Sequence, residues 1–182
     1  TTQPADDIII NLCQKQGWLH FRGSEEDVLD RYYHAALASK ADVITRITSD
    51  CPLIDPRVTE KVIQTHLNSD ADYTSNQGFP RGLDTEVFNF ETLEKAYEEA
   101  KLDYEREHVT PYIYQHPNMF RLKFIEASGK LRRPDLRLTV DTEEDLKLIR
   151  EIFKQLYRDG QIFYTEDVID LLDKCPELIA IN

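Results

Sequence analysis

A β-branched apolar run, DVIT at 42–45, leads into RITSDCPLIDP, Arg46 to Pro56, and this junction constrains the fold more than any other stretch. Such a run, halted by Ser, Asp and Pro, reads as a buried strand that ends in a turn. It delivers Asp50 to the edge of a sheet, and Asp55-Pro56 then reads as the cap and first position of a helix. The run LRLTVDTEEDL at 136–146 repeats the arrangement with Asp141. In open α/β sheets, ligands bind beyond the carboxyl ends of the strands. Mg²⁺ takes oxygen ligands, usually one or two protein carboxylates completed by phosphate oxygens and water. Asp50 and Asp141 are therefore the expected metal ligands of a magnesium–nucleotide site. Either aspartate taken alone reads as a helix cap; the pair with its flanking residues is more specific.

The 182 residues read as one domain spanning 1–182, which buries about two-thirds of its extended surface. A formal net charge of −12 disfavours a nucleic-acid backbone or an anionic membrane as partner, and otherwise reads as a solubilising surface. It does not disfavour a nucleotide, because a local divalent cation overrides the global sign. Cys13, Cys51 and Cys175 are few, odd in number and far apart, which predicts reduced thiols and a cytoplasmic protein. No apolar run is long enough for a transmembrane helix.

Periodicity predicts alternating α and β units. Residues 3–16 read as a helix stopped by Gly17, WLHF at 18–21 as a short strand, and Ser24 as the cap of a helix whose inward stripe includes Val28, Leu29, Tyr32 and Ala36. Strands are expected at 42–47, 71–76, 84–90, 121–127 and 136–140. Helices are expected from Pro56, at 91–102, 105–115 and 142–158, and near 165–173. The order predicts a mostly parallel sheet covered on both faces.

Five segments, GSEEDVLDRYY (23–33), RITSDCPLIDP, FPRGLDTEVF (79–88), REHVTPYI (106–113) and LTVDTEEDL (138–146), together resemble the spore-coat polysaccharide biosynthesis protein F family. These are cytidylyltransferases similar to CMP-KDO synthetases and acylneuraminate cytidylyltransferases, and the resemblance runs in order through nearly the whole chain. It implies a Rossmann-like nucleotidyltransferase fold, a three-layer α/β sandwich. It further implies transfer of CMP from CTP to an acidic sugar with release of pyrophosphate, Mg²⁺ as cofactor, and a role in surface polysaccharide biosynthesis. By the same resemblance Asp50 and Asp141 fall on the metal-binding aspartates, and Asn76, Arg81, Asp84, Glu86, Glu107 and His108 fall on loops expected to face the sugar. Arg81, between Pro80 and Gly82, is a planar cation suited to a carboxylate or a phosphate. Asp84 and Glu86 share one strand face and read either as hydroxyl acceptors or as a solvated face. His108 reads either as a proton-handling group or as a histidine satisfied in a helix surface.

Members of the family begin with a strand and a basic Gly- and Ser-containing loop around the triphosphate. This chain starts at TTQPADDIII, which resembles the region after the family's second strand, and its six glycines are scattered. The expectation is a fold lacking its first strands, impaired in turnover as it stands, and completing its exposed sheet edges as a homodimer. Two other readings stay open: a metal-dependent glycosyltransferase using Asp70 and Asp72 of a DxD tripeptide, and a non-catalytic truncated binding or assembly module.

Overall fold

Local chemistry sets most element boundaries in the computed structural model, which describes residues 1–182. Helix α1 (Asp7–Gln16) stops at Gly17, whose left-handed φ of 70° is the conformation glycine adopts without steric cost. Helix α2 (Val28–Ser39) is capped by Asp27, whose carboxylate accepts the Asp30 amide at 2.9 Å. Strand β1 (Val43–Arg46) precedes helix α3 (Pro56–Leu67), which Asp55 caps by accepting the Arg57 amide at 2.9 Å. Then follow β2 (Tyr73–Gln77), β3 (Glu86–Asn89), α4 (Phe90–Glu99), α5 (Asp103–His108), α6 (Pro111–Tyr114) and β4 (Leu122–Glu126). The chain closes with α7 (Glu143–Leu156), α8 (Thr165–Lys174) and α9 (Pro176–Ile179).

The strands form a mixed, open four-stranded sheet in the order β1-β3-β2-β4. Backbone bonds from Phe90 to Asp42 and from Asn89 to Asp72 set β3 against both its neighbours, while those from Asp72 to Arg121 and from Ala127 to Gln77 run β2 and β4 the same way. So β1, β2 and β4 share one direction and β3 alone opposes them. This α/β architecture is the expected class, with β1 and β4 at the edges.

Three local expectations are corrected. WLHF at 18–21 forms no strand; it finds no ladder partner, and Leu19 is 94% exposed. Ser24 is not the cap of α2. Its hydroxyl accepts the Asp27 amide at 3.0 Å in a preceding turn, and the stronger acceptor Asp27 takes the cap. LRLTV at 136–140 is extended but forms no strand, because its bonds alternate between two different loops and no ladder can propagate.

The residues group into two compact units, each drawn from separate stretches of sequence. The first comprises Thr1–Ile44, Ala71–Tyr73 and Phe88–Leu122. Its core gathers Leu29, Ala36, Phe88, Leu93, Val109 and Ile113, so α2, α4, α5 and α6 each contribute their apolar face or bury the residue that follows them. The second comprises Thr45–Asp70, Thr74–Val87 and Lys123–Asn182. There Leu136, Leu138, Leu148, Ile152, Ile169 and Leu172 pack α7 and α8 against the extended segment 136–140, and Val58, Phe79 and Leu83 form a smaller cluster.

Two devices fix that second unit. Asp55, only 2% exposed, accepts the Thr165 amide at 3.2 Å and the Thr165 hydroxyl at 3.0 Å while holding the Arg57 guanidinium, and so ties the start of α3 to the start of α8. Burial raises its carboxyl, and the bonds from Arg57 and Thr165 more than reverse that, so the group titrates at about 2. Gly82, at φ 104°, lets the loop 79–84 lie directly on the extended segment: a Cβ there would stand 2.8 Å from the Leu138 carbonyl carbon.

Asp55→Ala is expected to destabilise the protein by about 3 kcal/mol, read by chemical denaturation, because it strands the helix-end amides and the Arg57 charge. In the native protein the Asp55 contribution is complete above its ordinary value of 3.8 and is lost as pH falls toward about 2, so Asp55→Asn should flatten the acid limb of the stability curve over that interval. Gly82→Ala should lower Tm by roughly 4–8 °C, the effect of about 2 kcal/mol of overpacking and strained backbone at this chain length. An unchanged Tm in Gly82→Ala would show that the close approach does not matter.

Candidate functional site

Three of the five motif segments meet in the second unit. Past the end of β1, Thr48 to Cys51 make a tight turn closed by the Cys51 amide on the Thr48 carbonyl at 3.3 Å, and Asp50 sits on it, half-buried. The Val140 amide donates to the Asp50 carbonyl at 2.9 Å. On the other side the Arg81 amide donates to the Leu136 carbonyl at 2.9 Å and the Leu138 amide to the Arg81 carbonyl at 2.7 Å. The segment 136–140 is thus pinned between two loops, and Asp141 emerges one residue beyond the bond to Asp50. The Cys51 thiol lies 3.7 Å from an Asp50 carboxylate oxygen and 3.1 Å from the Thr48 hydroxyl. Burial is the main cause that pushes this thiol up, which keeps it a neutral donor beside the carboxylate.

Asp141 is exposed and ion-paired to Arg137 one helical turn earlier in sequence. Behind it Asp145, almost fully buried, accepts the Asp141 amide at 2.9 Å, the Thr142 amide at 3.0 Å, the Asn182 side-chain amide at 3.0 Å and the Arg137 guanidinium at 3.3 Å. The Arg137 bonds are the largest cause holding the Asp145 carboxyl well below the usual carboxylate range, followed by the Asp141 amide. Neither Arg137 nor Asp145 is among the residues expected at the site. The signal was present: Thr142 with Asp145 is a capping box, and Arg137, Asp141 and Asp145 follow at intervals of four.

The loop between β2 and β3 is stapled from inside. Asn76 is buried, and its amide donates to the Leu83 carbonyl at 3.0 Å and accepts the Thr85 amide at 2.8 Å. Glu86 is ion-paired with Arg46. Asp84 accepts the Gly82 amide at 3.0 Å, with its carboxylate otherwise facing solvent. Arg81 is fixed by its backbone, and its exposed guanidinium makes no hydrogen bond or ion pair. Of the four residues expected here, two are committed internally and two are presented outward.

Glu107 and His108 belong to the first unit, exposed at the end of α5. Val109, fully buried, follows with φ 74° and ψ −54°, and the Thr110 amide bonds the His108 carbonyl at 2.9 Å. This is a γ-turn of the strained hand on a β-branched residue, a conformation held only where surrounding packing over-determines it. No feature of the sequence announces it. Arg106 donates to Asp27 at 2.9 and 2.6 Å and to the Tyr97 carbonyl at 2.7 Å, which joins REHVTPYI to GSEEDVLDRYY. Glu107 lines an open cleft there with Glu25, Glu26, Asp27 and Asp103, and so many carboxylates around one guanidinium do not suit a polyphosphate.

The donor set fits a hard divalent cation that brings most of its own ligands. No cluster of three or more His, Cys, Asp or Glu side chains is arranged to hold a metal, so no all-protein cage exists. Asp50 and Asp141 instead offer two carboxylates on backbone segments joined by one hydrogen bond, the share Mg²⁺ takes from a protein when phosphates supply the rest. Asp72, by contrast, binds the Arg121 amide at 2.7 Å and the Arg121 guanidinium at 2.7 and 3.0 Å, which braces the start of β4.

Comparison with known proteins identifies the family. The cytidylyltransferase family model covers residues 2–169. The chain is 43% identical over its whole length to an uncharacterised protein of Methanocaldococcus jannaschii, spanning 74% of that protein. It is 39% identical over 173 residues to the spore coat polysaccharide biosynthesis protein SpsF of Bacillus subtilis, covering 94% of this chain and 72% of that one. A solved cytidylyltransferase from Leptospira borgpetersenii serovar Hardjo-bovis superposes with a TM-score of 0.89 at 32% identity, over 98% of this chain and 76% of that one. CMP:2-keto-3-deoxy-manno-octonic acid synthetase complexed with CTP superposes with a TM-score of 0.62 at 13% identity, over 85% and 79%, and shares the fold. The chain belongs to the cytidylyltransferase family.

Proposed function

We propose that this protein activates an acidic sugar by transferring CMP to it from CTP, with pyrophosphate as the leaving group, in the biosynthesis of a surface polysaccharide. The observation that supports the reading is the backbone bond from the Val140 amide to the Asp50 carbonyl, which joins the Asp50 turn to the residue preceding Asp141. Asp50 and Asp141 would hold Mg²⁺, which on binding supplies neutralisation of the charge that develops on the phosphate oxygens. The chain's own residues position the partners. The Cys51 thiol orients the Asp50 carboxylate, and Asp145 fixes the Asp141 backbone. Arg81 would receive the sugar carboxylate, and Asp84 would accept its hydroxyls. Asn76 and Glu86 keep that loop in shape from beneath. Three free cysteines support a reducing, cytoplasmic setting, and no helix is long and apolar enough to cross a membrane. The open edges β1 and β4 support a homodimer. The engagement of Asp72 with Arg121 speaks against a DxD glycosyltransferase.

Pyrophosphate release from CTP should require both a divalent cation and an acidic sugar, tested over a panel of sugar acids. Asp50→Asn and Asp141→Asn should each lower kcat/KM by about 100-fold or more, the scale on which charge-stabilising groups act. Arg81→Ala should act mainly through KM for the sugar, raising it about tenfold, as expected for a lost charge-assisted hydrogen bond. Failure of every sugar acid to elicit pyrophosphate from CTP, with the metal present, would sink the reading.

A further inference from the structure

We propose that Arg137 is a positioning residue and the resident counter-ion of Asp141: it holds that carboxylate until a divalent cation takes it, and then stays anchored on Asp145. The proposal rests on the reading of Asp141 as a metal ligand, and its residues all belong to the second unit. Side chains alternate along an extended backbone, which sends Leu136 and Leu138 into the core and brings Arg137 and Asp141 together on the other face. One Arg137 nitrogen, Nη2, reaches two acids: it donates to Asp141 Oδ2 and, at 3.3 Å, to Asp145 Oδ2. Nε completes a fork on Asp145 with a bond to Oδ1 at 3.3 Å. Nη2 carries two N–H groups, so each acid has a hydrogen of its own. The Asp141 carboxylate has no other donor.

The two pairs differ in how easily they break. The Asp145 side chain is 4% exposed and that of Asp141 is 53% exposed. A buried carboxylate that loses its cation is stranded, which makes the Asp145 pair the anchor. An exposed ion pair competes by no more than about fivefold, and a divalent cation brings twice the charge of a guanidinium. Release of Asp141 frees one N–H of a partly exposed side chain, where water satisfies it. The Arg137 backbone has no need to move. Its neighbours Leu136 and Leu138 bond Arg81, and its own carbonyl accepts the Asn182 side-chain amide at 3.3 Å. Arg137 thereby gives Asp141 a defined place and makes a bare cation bind more weakly than the carboxylates alone would allow.

Titration of the whole chain with MnCl₂, followed by water-proton relaxation, tests the proposal without turnover. Arg137→Gln should tighten Mn²⁺ binding about fivefold, the worth of the exposed pair it removes. Arg137→Lys, which keeps the charge but loses the fork, should return most of the native weakness. Asp145→Asn should act the other way. With its anchor weakened, Arg137 leans on Asp141, so Mn²⁺ should bind about two- to fivefold more weakly, and adding Arg137→Gln should relieve that loss. Thermal unfolding separates folding from binding: Arg137→Gln should lower Tm, yet gain more Tm from Mn²⁺ than the native protein gains. A merely structural arginine would lower Tm and leave Mn²⁺ affinity unchanged or weaker. That result, with Asp50→Asn and Asp141→Asn still abolishing Mn²⁺ binding, would overturn the inference and leave the metal site standing. An Asp145→Asn loss that Arg137→Gln does not relieve would overturn it as well. Absence of Mn²⁺ binding from the native and Arg137→Gln proteins alike, with or without CTP, would overturn both the inference and the metal site.

Discussion

Everything proposed for the second unit hangs on one extended segment, residues 136–140, gripped by backbone hydrogen bonds on both sides. Arg81 holds it at Leu136 and Leu138, and it holds Asp50 through Val140. These contacts are too few and too divided to make a strand, yet each sets a carbonyl-to-amide distance below 3 Å. The proposed site is consequently placed by main chain rather than by long side chains, which would limit the conformational entropy lost on ligand binding. The leucines of the same segment face the core with α7 and α8, so burial drives the segment into position and the hydrogen bonds set its register.

Electrostatics then sort the carboxylates into two kinds. Asp55 and Asp145 are buried, accept several backbone or side-chain donors and hold their charge through those donors; they build the frame. Asp50, Asp84 and Asp141 keep oxygen atoms facing solvent and can meet a cation or a hydroxyl. In a chain of net charge −12, the few well-placed arginines decide where an anion can approach. Arg46, Arg57, Arg106, Arg121 and Arg137 are spent on internal partners, whereas Arg81 is not.

Much of this was legible in the sequence, and for a physical reason. Asp55-Pro56 and Gly17 mark helix ends through backbone chemistry that acts within a few residues, and the structure places those ends there. The two aspartates stood out because each follows a β-branched run. What stayed hidden depends on partners distant in sequence. Nothing near Asn76 reveals that both ends of its amide would be used by Leu83 and Thr85. Nothing near Glu86 reveals that Arg46, forty residues earlier, would neutralise it. The same holds for LRLTV, which has strand composition but finds two half-partners, and for WLHF, which finds none. The Val109 γ-turn is the extreme case, since tertiary packing there overrides the local preference of a β-branched residue.

Asp50 and Asp141 are proposed to act as one site, completed by the phosphates of CTP. Mn²⁺ binding followed by electron paramagnetic resonance, with and without CTP, tests it through a double-mutant cycle. CTP should tighten Mn²⁺ binding by tenfold or more in the native protein. Asp50→Asn and Asp141→Asn should each abolish that gain, and the double variant should bind no more weakly than the worse single one, the signature of coupled residues. Losses that simply add, or a CTP effect that survives either substitution, would contradict a shared metal–nucleotide site.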